Sequence, residues 1–280
     1  MNILNKSLLS VALTASLGLA STSAMAGTLN DFYVDPTSSG AVVGPAPYAA
    51  PVFQADKITG NYAETIDFGA GGTFNTSIKW SAGQFVQNDG VDDLAAITSR
   101  LGVDYGLYGL FVGSGTYTTL GAITTFLFTS SILNLYLDAN VDTKLTDPGN
   151  GNATSYWTRT NFVDDTLIAT GTKTGASTVD SNGGALNGGC VGANCGSFGV
   201  TNTFKLTAAG SKFFIDPTPF YNATLGSGQF NSFAVAPSSS QKSNGSADFT
   251  FQTVTVPEPT SIALLGIGLL GFAFRRRNQA

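Results

Sequence analysis

Short runs in which apolar and polar residues alternate recur along the middle of this chain. A period of two places every second side chain on the same face of a β-strand. The residues at the alternate positions are Phe74, Thr76, Ile78 and Trp80; Phe126 and Phe128; Leu133, Leu135 and Leu137; Phe204 and Leu206; Phe213 and Ile215; and Phe249 and Phe251. The pattern predicts many strands that each bury one face.

Clusters of Gly, Asn, Asp and Ser separate these runs. Gly69–Gly72, Gly113–Gly115 and Gly149–Gly151 are examples, and such clusters supply the positive φ angles that turns need. A helical period is scarce, and the one segment that favours a short helix is Asp92–Leu101, with Gly102 after it. Strands with Gly-rich turns predict an all-β fold, a single β-sandwich or jelly-roll-like domain.

The N-terminal segment has a different pattern. Lys6 is followed by an apolar segment from Leu8 to Ala20 and then by Ala24-Met25-Ala26. A basic residue, a short apolar segment and an A-x-A sequence form the order of a secretory signal peptide. Residues 1–26 are therefore predicted to be a signal peptide that is removed after Ala26.

The C-terminal segment has the pattern of a membrane segment. No residue from Ser261 to Phe274 is charged, and Arg275, Arg276 and Arg277 follow directly. A basic cluster after an apolar segment is typical of the cytoplasmic side of a membrane. At about 1.5 Å per residue the segment is shorter than the roughly 30 Å of a bilayer core. It therefore predicts a short transmembrane helix that serves as a marginal anchor or as a processing signal.

These termini divide the chain into a signal peptide (residues 1–26), a β-rich exported domain (residues 27–256) and a tail (residues 257–280). Of the 13 basic and 18 acidic side chains, Lys6, the three arginines and Glu258 lie in the terminal segments, so the central domain keeps 9 basic and 17 acidic ones and a net charge of −8. An acidic domain without a basic face does not favour nucleic acid as a partner.

The absence of histidine restricts the chemistry that the protein can perform. None occurs in the 280 residues, which excludes Ser-His-Asp triads, Cys-His dyads and His-based zinc sites. The sequence still allows a mechanism that uses two carboxyl groups, as in glycosidases. Glu64 is the single glutamate in residues 27–256. The sequence thus favours a protein that is not an enzyme, and a polysaccharide-modifying hydrolase that uses Glu64 with Asp carboxylates is the alternative.

A candidate calcium loop follows the predicted strand that ends at Leu137. Asp138, Asn140 and Asp142 place three oxygen-bearing side chains at alternate positions, as at the start of a calcium loop. Thr143 stands where the turn glycine of such a loop belongs, and Gly149 stands where its bidentate glutamate belongs. A turn rich in Asp and Asn explains the same residues without a metal. No other cofactor is predicted.

Two further residue sets have candidate roles. Cys190 and Cys195 are the only cysteines, and an even pair in an exported protein predicts a disulfide that closes a small loop. The second set is aromatic and can form either a sugar-stacking surface or part of the core. It consists of Trp80, Tyr105, Tyr108, Phe111, Tyr117 and Trp157.

The order of Pro257-Glu258-Pro259, an apolar segment and Arg275–Arg277 resembles the PEP-CTERM sorting tail of Gram-negative bacteria. The resemblance implies that an exosortase, an integral-membrane transpeptidase-like enzyme, recognises this tail and cleaves it near the Pro-Glu-Pro sequence. The protein would then pass from an inner-membrane intermediate to the cell surface or the extracellular matrix. A simple tail anchor is the alternative.

The central domain resembles the flocculation-associated subgroup of PEP-CTERM proteins. The resemblance is carried by Asp31–Pro36, Gln54–Gly60, Tyr62–Glu64, Tyr105–Tyr108 and Leu135–Asp138. It implies an extracellular protein that works with exopolysaccharide to hold cells together in flocs or biofilm. The expected partners are therefore an exosortase, an extracellular polysaccharide and, before processing, the membrane.

Overall fold

The computed structural model describes residues 29–38, 51–120, 123–174, 178–179, 198–227 and 237–253. The predicted signal peptide with Ala24 and Ala26, the predicted disulfide between Cys190 and Cys195, and the tail lie outside these residues. The signal peptide and the disulfide stay predictions.

The described residues form sixteen β-strands and two helices of one turn each. The strands are β1 (Phe32–Val34), β2 (Phe53–Ala55), β3 (Lys57–Phe68), β4 (Thr73–Gln87), β5 (Asp92–Asp93), β6 (Gly106–Leu120), β7 (Ile123–Asp138), β8 (Lys144–Thr146), β9 (Thr158–Thr160), β10 (Thr166–Thr172), β11 (Thr178–Val179), β12 (Phe198–Asn202), β13 (Lys205–Leu206), β14 (Phe214–Asp216), β15 (Asn222–Ser227) and β16 (Ser240–Gln252). The helices are α1 (Ala96–Ser99) and α2 (Gly210–Phe213). The predicted all-β fold is confirmed.

One large antiparallel sheet contains most of these strands. Its order is β12-β15-β16-β3-β4-β6-β7-β10-β13, with β5 paired to β4 and β11 paired to β7. The five longest strands, of 12 to 16 residues, are consecutive neighbours in the middle of this order. The hairpin between β3 and β4 turns at Gly71 and Gly72, whose φ angles are +74° and +75°. This turn was predicted from the Gly69–Gly72 cluster.

The first strand of this order, β12, also bonds to the end of β10 at the other side of the order, so that the large sheet closes on itself. Strand β12 pairs with β15 on one side, and its last residue, Asn202, forms an antiparallel bridge with Lys173 just after β10. The Thr203 amide donates to Thr172 O at 2.8 Å, and the Thr174 amide donates to Thr201 O at 3.0 Å. These bonds join β10 to β12, and the closed sheet has an inner face that is shielded from water.

The inner face holds a single aromatic-rich core. Trp80 on β4 packs edge-to-face against Phe249 on β16, with ring centroids 4.5 Å apart, and the Trp80 Nε1–H donates to Ala247 O at 2.8 Å. A Cβ atom added to Gly109 on β6 would lie 3.8 Å from Phe249. Side chains from strands that are two or three places apart in the sheet order therefore meet in this core.

A second sheet of three strands, in the order β14-β1-β2, packs on this core. Phe32 on β1 contacts Phe251 on β16 at a centroid distance of 4.7 Å and Phe214 on β14 at 5.8 Å. The similar sequences Phe32–Thr37 and Phe213–Thr218 contribute β1 and β14, which pair antiparallel. Each of these two strands ends at or just before an Asp-Pro sequence, because proline removes the next ladder donor.

Three details of the sequence prediction were wrong. Gly113–Gly115 is not a turn but lies inside β6. Glycine is needed there because a Cβ atom at Gly115 would lie 2.1 Å from Leu127 O on β7. Ile215 is exposed, because α2 ends at Phe213 and shifts the alternation by one residue. The predicted helix Asp92–Leu101 is shortened to α1, because Asp92 and Asp93 pair with β4 as β5.

We expect Gly171→Ala to destabilise the closed sheet where its ends meet. A Cβ atom at Gly171 on β10 would lie 2.1 Å from Thr203 O, and such overpacking costs about 1–3 kcal/mol. Denaturant unfolding should therefore show a lower midpoint. Gly83→Ala is the matched control, because its nearest neighbour is Thr59 O at 3.6 Å. Equal midpoints for the two variants would contradict a tight closure at Gly171.

Candidate functional site

The loop that follows β7 is held by one carboxylate. Asp138 Oδ1 accepts the amides of Asn140 at 3.2 Å and Asp142 at 3.3 Å, and its Oδ2 accepts the Thr143 amide at 3.0 Å. Val141 takes a φ of +56° within this turn. The side chain of Asp138 therefore fixes the direction in which the chain leaves the sheet.

The structure brings two of the three predicted calcium ligands together and adds a third carboxylate. Oxygen atoms of Asp138, Asp142 and Asp164 all lie within 4.8 Å of one another. The Asn140 side chain instead donates from Nδ2 to Asp164 Oδ2 at 2.7 Å, so it orients a carboxylate of the cluster. In the sequence, Asp164 is marked by its neighbour Asp165, but two adjacent aspartates are typical of an ordinary turn and did not indicate a ligand.

Asp165 has a different role from its neighbour in sequence. Its carboxylate accepts hydrogen bonds from the Tyr108 hydroxyl and, at 2.8 Å, from Thr143 Oγ1, and Arg159 lies 3.7 Å away as an ion pair. Burial raises the pKa of Asp165, and the nearby Asp138 carboxylate raises it further, whereas these hydrogen bonds and Arg159 lower it. Asp165 thus fastens the acidic loop to the sheet.

Aromatic and cationic side chains hold the segment from Leu145 to Asp165 on the outer face of the sheet. Arg159 lies 4.2 Å from the Tyr136 ring centroid and 4.6 Å from the Phe162 ring centroid. Tyr136 in turn stacks on Tyr108 at 5.1 Å. The Trp157 Nε1–H donates to Ser77 O at 3.3 Å. These contacts give the acidic loop a rigid base.

The acidic cluster has the donor set that calcium prefers. Calcium takes oxygen ligands at 2.3–2.6 Å in flexible geometry, so two ligands of one ion are at most about 5 Å apart. The carboxylates of Asp138, Asp142 and Asp164 meet this condition. Since the Asp138 oxygens already accept backbone amides, an ion here would share them. Calcium binding remains a prediction.

Glu64, the residue on which the hydrolase alternative depends, lies on the inner face of β3. It is 7% exposed and accepts a hydrogen bond from the Thr76 hydroxyl. Burial raises the pKa of Glu64 to about 7, although the Thr76 hydrogen bond acts in the opposite direction. A polymer on the outer face of the closed sheet does not reach this carboxyl group.

The six aromatic residues do not form an exposed sugar-stacking surface. Trp80, Tyr105 and Phe111 are fully buried in the main core. Tyr108 is buried under the segment that covers the outer face, and Trp157, which belongs to that segment, packs against the sheet. Tyr117 is half-buried against Phe68 at a centroid distance of 5.3 Å. The core interpretation is therefore correct for these residues, and the surface interpretation was wrong.

A different part of the outer face is exposed and carries no charge. We call it the neutral face; it comprises the outward side chains of residues 73–75, 112–119 and 124–132 on β4, β6 and β7, none of which is charged. Ser114 and Ser130 hydrogen bond to each other at 2.7 Å across this face. Leu127 and Ile132 are 44% and 49% exposed. A shallow depression of about 220 Å³ lies between Asn75, Ser130 and Ile132.

Comparison with known families decides the role of the tail. The model of the PEP-CTERM protein-sorting motif matches residues 255–277. The chain carries a PEP-CTERM sorting motif. The match includes Pro257, Glu258, Pro259 and the three arginines at 275–277, as predicted. No curated protein and no solved structure matches the chain.

The PEP-CTERM motif implies processing by an exosortase and export through a membrane-anchored intermediate to the cell surface. Among the residues that the structure describes, no helix is long and apolar enough to cross a membrane. The motif begins three residues after β16 ends at Gln252. In the sequence, the motif therefore closely follows a strand of the large sheet.

We expect the stability of the domain to depend on pH through Glu64. The folded protein keeps the Glu64 proton up to about pH 7, whereas an ordinary glutamate releases it near 4.5. The folded state binds more protons in this window, so the free energy of unfolding falls as pH rises through it, by on the order of 3 kcal/mol. Urea unfolding between pH 4.5 and 8 measures this slope.

Glu64→Gln should remove most of that slope, because glutamine has no proton to release. Thr76→Val removes the hydrogen bond that stabilises the carboxylate, so it should extend the slope to higher pH. A wild-type slope that Glu64→Gln leaves unchanged would show that another group titrates.

We expect calcium to raise the melting temperature through the acidic loop. At about 100 times its dissociation constant, a ligand stabilises the folded state by roughly 2.7 kcal/mol. Asp142→Asn with Asp164→Asn should abolish this effect and leave the backbone bonds of Asp138 intact. Magnesium should have little effect, because it dehydrates reluctantly and demands a strict octahedron. Identical melting curves in calcium and in chelator would exclude the site.

We expect Glu258→Ala, or neutral residues at positions 275–277, to block processing of the PEP-CTERM tail. The first change alters the Pro-Glu-Pro sequence, and the second removes the basic cluster that marks the cytoplasmic side. Cell fractionation and intact mass should then find an uncut chain in the inner membrane. Normal mass and normal surface delivery would favour a simple anchor.

Proposed function

We propose that the protein is a non-enzymatic component of the extracellular matrix that associates with exopolysaccharide and promotes flocculation or biofilm formation. The sorting motif supports delivery to the cell surface. The resemblance of the central domain to the flocculation-associated subgroup supplies the expectation of a polysaccharide partner.

The neutral face is the observation that carries this proposal. The domain has a predicted net charge of −8, yet this face presents Ser and Thr hydroxyl groups beside Leu127 and Ile132 without any charged side chain. Hydroxyl groups exchange hydrogen bonds with a sugar, and exposed aliphatic side chains pack on its CH groups. When a neutral polymer binds to such a surface, no charged side chain has to lose its hydration. Anionic polymers, in contrast, are repelled by the acidic residues in the rest of the domain.

The hydrolase alternative receives less support from the structure. Glycosidases place two carboxyl groups on either side of the bond that they cleave, which requires both groups to reach the substrate. Glu64 lies on the inner face of β3 with Thr76 as its partner. Turnover of purified exopolysaccharide that Glu64→Gln abolishes would restore this alternative.

Binding of the exported protein to purified exopolysaccharide tests the proposal. Ser114→Glu with Ser130→Glu places two negative charges on the neutral face and should weaken binding about tenfold or more, because a carboxylate pressed against a neutral sugar loses hydration. Asn61→Glu is the matched control, because this exposed residue lies outside the neutral face on β3. Sedimentation with the polysaccharide and flocculation of cells that carry each variant are the measurements. Equal binding by both variants would exclude the neutral face.

A further inference from the structure

Four loops lie at the end of the large sheet where β16 finishes. They are residues 88–91 after β4, residues 94–105 with α1, residues 139–143 after β7 and residues 161–165 before β10. The antiparallel register brings them to one end, because each loop leaves or enters a strand there. The pairs that show this are Thr250 with Lys57, Lys57 with Val86, Gly106 with Asp138, and Leu137 with Thr166.

These loops expose large apolar side chains, which we call the apolar rim. Val163 is 98% exposed, and Val91 and Ile97 are 76% and 75% exposed. Exposed apolar residues that are scattered singly are normal on any protein. Six of the eleven large apolar side chains that are exposed among the described residues lie in these loops, so they form a group. The apolar rim consists of Val91, Ile97, Val103, Val141, Phe162 and Val163.

Contacts between the loops join parts of the apolar rim. The Asn140 side chain donates from Nδ2 to Asp164 Oδ2 at 2.7 Å, which ties the loop of Val141 to the loop of Val163. Val141 also lines a depression of about 160 Å³ together with Gly102, the neighbour of Val103. The apolar side chains of these three loops therefore belong to one connected surface.

The fold itself does not require large apolar residues in these loops. Val141 has a φ of +56°, a conformation that glycine or asparagine adopts more readily than a β-branched residue. The opposite end of the sheet shows the usual composition of turns. Its described turns, residues 69–72 and 149–155, contain only Gly, Ala, Asn, Thr and Ser, and Asp67 accepts the amides of Gly151 and Ala153 there.

The sorting tail places a membrane beside this end of the sheet. Residues 253–260 connect Gln252 to the apolar segment that begins at Ser261, and they span at most about 28 Å when fully extended. Strand β16 is itself about 40 Å long, so the tail cannot bring the opposite end equally close. We propose that the apolar rim contacts the headgroup region of the lipid bilayer while the tail anchors the chain.

Tethering makes a weak contact sufficient. A second contact within one anchored chain has an effective concentration of about a millimolar. Apolar side chains of an interfacial segment enter the headgroup boundary by about 5–10 Å. Asp92, Asp93 and Asp142 are exposed between the rim residues, and anionic lipids repel such carboxylates. The lipid that fits the apolar rim is therefore zwitterionic.

This contact gives the uncut protein a defined orientation. With the apolar rim on the bilayer, residues 253–260 lie along the membrane surface, where an integral-membrane exosortase meets the Pro-Glu-Pro sequence. Cleavage removes the anchor, and the rim then leaves the bilayer with the domain. The inference depends on the sorting motif and is independent of the proposed association with polysaccharide.

Quenching of tryptophan emission by brominated lipid tests the proposal. The uncut full-length chain, produced without an exosortase, is reconstituted in vesicles of dibromo-phosphatidylcholine. Val163→Trp should be quenched at least about threefold more strongly than Ile132→Trp, because interfacial side chains enter the headgroup boundary. Ile132 is the matched control, since it is exposed on the neutral face. The two native tryptophans are buried and give the same background in both variants.

A second pair of variants separates an apolar contact from mere proximity to the anchor. Val91→Ser with Ile97→Ser should reduce the quenching of Val163→Trp about twofold by removing part of the interfacial apolar surface. Leu127→Ser with Ile132→Ser should leave it unchanged. Both pairs change exposed side chains, and equal melting temperatures would show that the fold is intact.

Four outcomes would overturn the proposal. The first is equal quenching at positions 163 and 132, and the second is unchanged quenching of Val163→Trp in Val91→Ser with Ile97→Ser. The third is a blue shift of the Val163→Trp emission without quenching, which would assign the apolar rim to a second copy of the chain. The fourth is failure of the full chain to float with the vesicles, because the tail would then not hold the domain at a bilayer.

Discussion

Closure of the large sheet is the constraint on which the rest of this structure depends. The hydrogen bonds between residues 172–174 and 201–203 join the two ends of the strand order. A twisted open sheet of this size would leave two edges of unpaired N–H and C=O groups, and exposed edges favour association between chains. Closure satisfies these groups within the molecule, and it also creates the inner face on which Trp80, Phe111 and Phe249 are buried.

The inner face explains how a chain with little charge and many glycines packs a large aromatic core. Glycines on β6 and β10 lie where the backbone of a neighbouring strand or a phenyl ring comes close. At Gly113, for example, a Cβ atom would lie 2.8 Å from the Phe128 ring. Large aromatic side chains and residues without a side chain therefore alternate around the core, which fills its volume without overpacking. The same tight interior keeps Glu64 away from water and sets its unusual titration.

The period-two pattern predicted the fold class and most buried positions, because one face of each long strand is in the core. It failed where local rules compete with strand pairing. Gly113–Gly115 has the composition of a turn, and only the neighbouring Leu127 backbone explains why the glycines lie inside β6.

Asp138 and Asp142 of the acidic cluster were found because they follow a strong strand. Asp164 was not, because it comes from a segment 22 residues after Asp142, and its proximity depends on how that segment folds back over β7. The aromatic residues were open to two interpretations, since a sequence does not show which face of a strand points inwards.

The position of β16 gives the sorting tail a mechanical consequence. This strand leads directly into the motif at residue 255, and it is paired along eleven residues with β3 and along five with β15. A pull on the C-terminal end acts along this strand and loads its ladder bonds together, whereas a terminal edge strand would be peeled away one bond at a time. While the protein is held in the membrane by its tail, drag on the exported domain is therefore borne by the interior of the sheet.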